Sequence, residues 1–433
     1  MIETNSPVII VGAGPAGLTA ALTLARRKIA SLVLQKESDI VRIGSRAIVT
    51  LKTALETFNA IAPGVGTELA RRGITWHVKR TYFKDRLLFS EEYPRRQGDD
   101  LPPFVNASQV EVDSGLYAAA RKLYPDLITF SFNRTVTGLE QNEHEVILQT
   151  AEGGEYRAEY VIGADGGKST VRKLLGVELK GLRSTNRFLI VDVQAKLDVP
   201  SERRFYYSPP SNPGLQAFMM PQPDDVWRLD WQVPLDFELD DERTNGRLEW
   251  RIHSLIGQNQ TYKIKWATVY NFNNLKADTF NVGRVFLAGD AAHMFSPFGG
   301  RGLNSAVADA KHLGDLLSAV MGEGSPIGSL SAYNTERQAA AVVNLAATSR
   351  VLRVMVPRTN WHRLVRYAAI QAAPYFRPAQ QRIDSGPYAT ATKTDDGGTK
   401  FDLKDEQPRS WSVSITCRWP GCAADAIAAR GGG

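Results

Sequence analysis

The chain has 433 residues, 43% of them hydrophobic and 23% charged, with a formal net charge of +6. That length supports a sizeable core and two domains. No run of about 18 apolar residues occurs, which argues against a membrane span, and the basic residues are scattered in pairs such as Arg26-Arg27, Arg71-Arg72 and Arg203-Arg204 rather than gathered with aromatics, which argues against nucleic-acid binding.

Residues 7–11, Pro-Val-Ile-Ile-Val, predict a buried parallel strand that starts too early to leave room for a signal peptide. Gly12-Ala13-Gly14-Pro15-Ala16-Gly17 follows at once. Residues 18–27 carry Leu18, Ala21, Leu22 and Ala25 at helical spacing, and 31–34 reads as the next strand. Strand, glycine turn, helix and strand within about 30 residues is the context of a dinucleotide fingerprint. Gly12 suits the tight turn, Gly14 the close approach of a pyrophosphate, and Gly17 the packing of helix on strand. Unpaired N–H groups and the partial positive charge of the helix start suit the phosphates. The residue expected to bind ribose hydroxyls is normally acidic; here it is Gln35, followed by Lys36 and Glu37. Gln35 can still exchange hydrogen bonds, Glu37 can substitute for it, and Lys36 would suit a phosphorylated ribose.

Further along, 46–72 has helical periodicity through Leu51, Leu55, Phe58, Ile61 and Leu69. Residues 75–89 alternate like strands, and 91–103 reads as a polar loop. A helix is expected over 114–123, and strands over 128–132, 145–150 and 160–163. Residues 188–264 are rich in β-branched and aromatic types, punctuated by Pro209-Pro210 and Asn212-Pro213-Gly214. They predict a mostly antiparallel sheet. A buried strand over 281–288 and helices over 303–321, 333–355 and 361–373 complete the pattern. From about residue 385 Thr, Asp, Gly and Lys dominate, and the tail does not read as a packed domain. Both cysteines, Cys417 and Cys422, lie in it at a spacing that fits no zinc or redox motif. A reducing cytoplasm is the expected compartment.

Two more glycine segments follow buried strands. Residues 160–176 contain Gly163-Ala164-Asp165-Gly166, and residues 285–304 read Val-Phe-Leu-Ala-Gly289-Asp290-Ala-Ala-His293-Met-Phe-Ser-Pro297-Phe-Gly-Gly300-Arg-Gly302-Leu303-Asn304. The three segments together make the chain resemble the FAD-dependent aromatic hydroxylases, single-component flavoprotein monooxygenases with the para-hydroxybenzoate hydroxylase fold. The resemblance runs from about residue 7 to about 373. Within that family it is most similar to the branch of 3-(3-hydroxyphenyl)propionate hydroxylases and phenol monooxygenases.

The resemblance implies an α/β chain: a discontinuous Rossmann-like FAD-binding domain, an inserted, mostly antiparallel β-sheet substrate domain, and C-terminal helices. The boundaries it suggests are 1–74, 104–186 and 280–356 for the FAD-binding parts. Residues 75–103 and 187–279 would form the substrate domain, 357–384 a C-terminal helix, and 385–433 a poorly ordered tail. It assigns to the cofactor Gly12, Gly14, Pro15, Ala16, Gly17, Gln35, Lys36, Arg46, Gln109, Asp165, Gly289, Asp290, Pro297, Gly300, Gly302, Leu303 and Asn304. Asp290 at a strand end suits a ribityl hydroxyl, and a guanidinium at Arg46 suits a pyrophosphate. Arg172 would meet phosphates or lie exposed, and His293 would be structural. No second strand–GxGxxG–helix unit is visible, so NADPH or NADH would act as a transient cosubstrate.

The implied reaction reduces FAD with NAD(P)H, adds O2 to give a flavin hydroperoxide, and hydroxylates a small phenolic ring. The base that activates the phenol is not identified by the sequence. Tyr207, Met219, Trp227 and Arg228 are candidate substrate linings, with Arg228 placed to meet an anionic group. A halogenase would need Trp-x-Trp-x-Ile-Pro, and the segment from Trp227 to Pro234 has another spacing. A reductase, a Baeyer–Villiger-type oxygenase and a non-catalytic flavin-binding protein remain open. No metal site is expected. Members of the nearest branch often carry a C-terminal thioredoxin-like domain that contributes to assembly, and this chain is expected to stop before one, so the oligomeric state, a homodimer or otherwise, stays open.

Overall fold

The computed structural model describes residues 2–40, 48–93, 101–183, 187–297, 299–357, 359–384, 390–393 and 399–402. Two compact units form, Met1–Tyr388 and Ala389–Gly433. In the second, the strands Thr390–Lys393 and Thr399–Asp402 pair antiparallel.

The first unit is built on two large sheets. In the nucleotide sheet, Val285–Leu287, Glu155–Gly163, Ile2–Val11, Ser31–Gln35 and Ile128–Phe132 run side by side and parallel. Val8, Ile9 and Ile10 have no exposed surface, the continuous apolar pattern of a strand covered on both faces. The helices Pro15–Arg26 and Arg301–Gly322 pack on it through Leu18, Leu22, Val307 and Leu313. The expected buried strand at 281–288 is a short hairpin, Asn281–Val282 against Val285–Leu287, turned at Gly283 with φ +56°.

The second sheet forms a platform. Its order is Lys263–Asn271, Arg187–Gln194, Val226–Val233, Gln216–Gln222, Arg203–Tyr207, Val78–Phe83 and Arg86–Glu92. Every pairing is antiparallel except Arg203–Tyr207 with Val78–Phe83. Side chains alternate between its faces. Leu189, Val191, Ala217, Met219, Trp227, Leu229 and Trp231 go to one face. Ile190, Phe218 and Met220 go to the other.

Four local expectations change. Residues 239–256 lie within the expected sheet but form the helices Leu239–Thr244 and Arg247–Ile256. Leu248, Ile252 and Leu255 sit at helical spacing there and cover the Trp227 face of the platform. The stretch 46–72 is not one helix. It holds the strand Val49–Leu51, then the helices Lys52–Ile61 and Val65–Arg72, broken at Ala62-Pro63-Gly64. The helix expected from 114 begins at Gln109. Ser108 and Glu111 close a capping box there, with the Ser108 N–H donating to Glu111 Oε2 at 2.9 Å. A further helix, Arg377–Ile383, follows the expected ones.

Candidate active site

The βα turn is built by backbone. Gly12 N–H donates to the Leu34 carbonyl at 2.8 Å, and Ala164 N–H donates to Val11 at 2.9 Å. Gly12 has φ +106°, and a Cβ there would lie 2.5 Å from the Ala164 oxygen. At Gly17 a Cβ would lie 1.9 Å from the Gly12 oxygen. Side chains are excluded at both positions by neighbouring backbone, so the three central strands converge on one bare turn. The helix that starts at Pro15 has no side-chain cap and no acidic residue in its first turn. Its free N–H groups and positive end therefore face the adjoining cavity.

That cavity has a volume of about 1610 Å³, more than the roughly 300–1,000 Å³ of an ordinary ligand pocket. At one end it is lined by Gly12, Gly14, Pro15, Ala16, Gln35 and Lys36, together with Glu37, Gln109 and Arg134. Its middle is lined by Asp165, Asp290, Pro297, Gly300, Gly302 and Leu303. A Cβ on Gly302 would meet nothing within 4 Å. The helix Arg301–Gly322 opens there on Gly300, φ +63°, again with no side-chain cap or acidic residue in its first turn. A bare wall beside an unpaired helix start accepts a flat group that carries negative charge. A dinucleotide with a flat ring fits these two helix starts, one at each end of its length.

Several residues assigned from sequence do other work. Gln35 Oε1 accepts from the Ala13 N–H at 2.9 Å, and its amide donates to Glu37. Gln35 thus fastens the turn, and Glu37 is the carboxylate left facing that end. Asn304 does not line the cavity: its Oδ1 accepts from Leu51 N–H at 2.8 Å and its Nδ2 donates to Val49 at 3.0 Å, tying the helix to the strand Val49–Leu51. Gly17 and Gly289 lie behind the wall; a Cβ on Gly289 would be 3.0 Å from Ala306 Cβ. Asp165 accepts from Thr170 N–H at 2.7 Å and Val171 N–H at 3.1 Å, so it caps the helix Thr170–Leu174 from the cavity floor. Arg172 is buried and donates to the Ala291 and Gly167 carbonyls, both at 3.0 Å, joining the second glycine segment to the third. His293 is buried; its Nε2 meets Asp309 Oδ2 at 2.6 Å, and Asp309 also accepts from Arg337 and the Gly289 N–H. That network holds the Gly289-Asp290 turn. Arg46 lies outside the described residues.

The far end of the cavity is the platform. Ile190, Phe218, Met220, Arg228, Asp230 and Tyr270 line it. Three of the four residues chosen from sequence are not among them. Met219 and Trp227 point to the opposite face, because each is one residue out of step with the lining positions. Tyr207 is buried among Phe205, Met355 and Ile383, and its hydroxyl donates to the Ile383 carbonyl. Only Arg228 reaches the wall, and its charge is met there. Its Nε donates to Asp192 Oδ1 at 2.8 Å and its Nη2 to Asp192 Oδ2 at 2.7 Å. Burial alone would lower Arg228; Asp192 outweighs burial and holds it above its ordinary value. Burial pushes Asp230 up to about 8, against the pull of Arg228. Asp230, Phe218 and Met220 were missed from sequence. The strand period of two carries the signal: once Arg228 faces the cavity, Asp230 must as well.

Residues 5–348 match the family described as FAD binding domain. The chain is 31% identical over 426 residues to a flavin-dependent monooxygenase of Mycobacteroides abscessus, covering 92% of this chain and 86% of that one. It is 28% identical to a 3-(3-hydroxy-phenyl)propionate/3-hydroxycinnamic acid hydroxylase of Mycobacterium sp. strain JLS, over 83% of this chain but only 62% of the relative. In structure it is similar to p-nitrophenol 4-monooxygenase from Pseudomonas putida DLL-E4, with a TM-score of 0.75, 24% identity and coverage of 88% and 97%. The chain belongs to the FAD binding domain family, as an FAD-dependent monooxygenase.

Proposed function

We propose that this protein hydroxylates a small phenolic ring, using NAD(P)H and O2. The observation that carries this reading is one continuous cavity: a nucleotide end made of backbone and bare glycine opens into a platform end walled by Phe218, Met220 and Tyr270. FAD, when bound, supplies the oxygen chemistry that no side chain can. Gly14, Pro15 and Ala16 would take its pyrophosphate, Glu37 its ribose hydroxyls, and the backbone start at Gly300–Gly302 its flat ring. Asp290 sits between these, at the end of a buried strand, where its carboxylate suits a hydroxyl chain.

On the substrate side, Ile190, Phe218 and Met220 present apolar surface that orients a ring and keeps water away from it. Arg228 is committed to Asp192, so the platform favours a substrate recognised by a hydroxyl over one recognised by a carboxylate. The propionate side chain named in one relative is therefore not carried over. NAD(P)H would act as a transient cosubstrate that docks, reacts and leaves. Among the described residues no single helix is long and apolar enough to cross a membrane; the cytoplasm is the compartment we propose, and fractionation tests it.

The test is a phenol panel on the purified, yellow protein. NAD(P)H oxidation is expected to rise sharply with a matching phenol, with a product heavier by one oxygen. Stimulation with no oxygen in the product would favour a reductase, and halide-dependent product a halogenase.

A further inference from the structure

We propose that the Asp230 carboxylate accepts the hydroxyl proton of the aromatic substrate and is thus a catalytic residue of the platform. This rests on the phenol reading above.

Two carboxylates stand close to Arg228, of which Asp230 lines the cavity, and they differ in what they already hold. Asp192 accepts twice from Arg228 and once from Gln222 Nε2 at 2.9 Å. Asp230 stands two residues from Arg228 on the same strand and face, and its Oδ1 is buried with no hydrogen-bond partner. The residue is only 3% exposed, yet it lines the cavity. Buried acceptors are nearly always satisfied in folded proteins. An unsatisfied one in the wall of a ligand cavity is placed to be completed by the ligand. Its direct register neighbours, Phe218 and Ile190, are apolar, so nothing beside it on the sheet competes for that bond.

The charged groups facing Asp230 are Arg228 on its own strand, Asp192 on Arg187–Gln194 and Arg203 on Arg203–Tyr207. Burial is the largest influence and raises the carboxyl; Arg228 lowers it, Asp192 raises it and Arg203 lowers it. The outcome, about 8 in place of 3.8, suits the role. A phenol ionises near 10. Transfer to an ordinary carboxylate opposes equilibrium by about six powers of ten, and to this one by about two. In the step, the substrate O–H bond breaks and a bond from Oδ1 to that proton forms. The electron pair stays on the substrate oxygen, conjugated with the ring, and nothing is oxidised or reduced. Arg203 lines the same wall and favours the anion so formed.

The experiment measures product formation by the FAD-loaded protein with a series of phenols, from unsubstituted phenol to p-nitrophenol, across pH about 6 to about 10. The parent protein is expected to gain rate as pH rises through about 8. Asp230→Asn is expected to lose roughly 10²–10⁴-fold with weakly acidic phenols and to lose that rise. It should keep most of its rate with p-nitrophenol at the alkaline end of that range, where this phenol arrives already ionised. Asp230→Glu should recover part of the loss and move the inflection. An equal loss on every phenol, or an unchanged pH profile, overturns the role of Asp230 while leaving hydroxylation standing. No phenol-dependent product from the parent protein overturns both readings together.

Discussion

The two ends of the cavity are made in opposite ways. The nucleotide end is backbone: Gly12, Gly17, Gly300 and Gly302 matter for the side chains they lack, and two uncapped helix starts supply the charge. The platform end is side chain: residues of four neighbouring strands supply ring surface, an arginine closed by its ion pair and one carboxyl without a partner at Oδ1. A backbone site tolerates little change and leaves its mark in contiguous sequence. A side-chain site on a sheet can vary position by position, and its residues are scattered over Arg187–Gln194, Gln216–Gln222, Val226–Val233 and Lys263–Asn271.

That contrast can be broken by substitution. The largest effect is expected at the platform ion pair. Asp192→Ala leaves Arg228 buried without its main partner and should cost about 3–5 kcal/mol, read by denaturant unfolding. Next, Gly12→Ala forces a Cβ against the Ala164 carbonyl at positive φ. It should cost about 1–3 kcal/mol and strip FAD from the purified protein, read from flavin absorbance per chain. If Gly12→Ala kept full FAD, the turn would not be the pyrophosphate seat.

A third effect depends on pH. The folded Asp230 holds its proton up to about 8 while the unfolded one loses it near 3.8. Between those values the native state binds more protons, so stability falls as pH rises. Asp230→Asn should remove that fall: its melting temperature would match the parent near pH 4 and exceed it near pH 9. The smallest effect belongs to a residue outside the cavity. Tyr207→Phe loses the hydrogen bond to Ile383, about 1 kcal/mol, and should leave KM for the phenol unchanged. A raised KM with no loss of stability would return Tyr207 to the substrate wall.

The sequence was more legible at one end than the other for this same reason. Gly12 to Gly17 and Gly289 to Asn304 are runs in which spacing alone carries geometry. Even there the side-chain partners were hidden: Gln35 turned inward to the Ala13 N–H, and Asn304 to the strand Val49–Leu51, because tertiary neighbours and not local pattern decide where an amide points. On the platform, Met219 and Trp227 were one residue out of phase, and a period of two converts that slip into the opposite face. The helices over 239–256 were masked by the aromatic and β-branched residues around them, although Leu248, Ile252 and Leu255 carried the helical period.

The central claim is that one cavity seats FAD at its glycine end and the aromatic ring against the platform. Met220→Trp tests it most directly. Met220 lines the platform end on the face opposite Met219, so a larger side chain fills the ring's place without touching the nucleotide turn. The measurement is phenol-stimulated NAD(P)H oxidation per bound FAD. The account expects flavin content to stay at the parent level and stimulation to disappear. Full stimulation with FAD bound would contradict it.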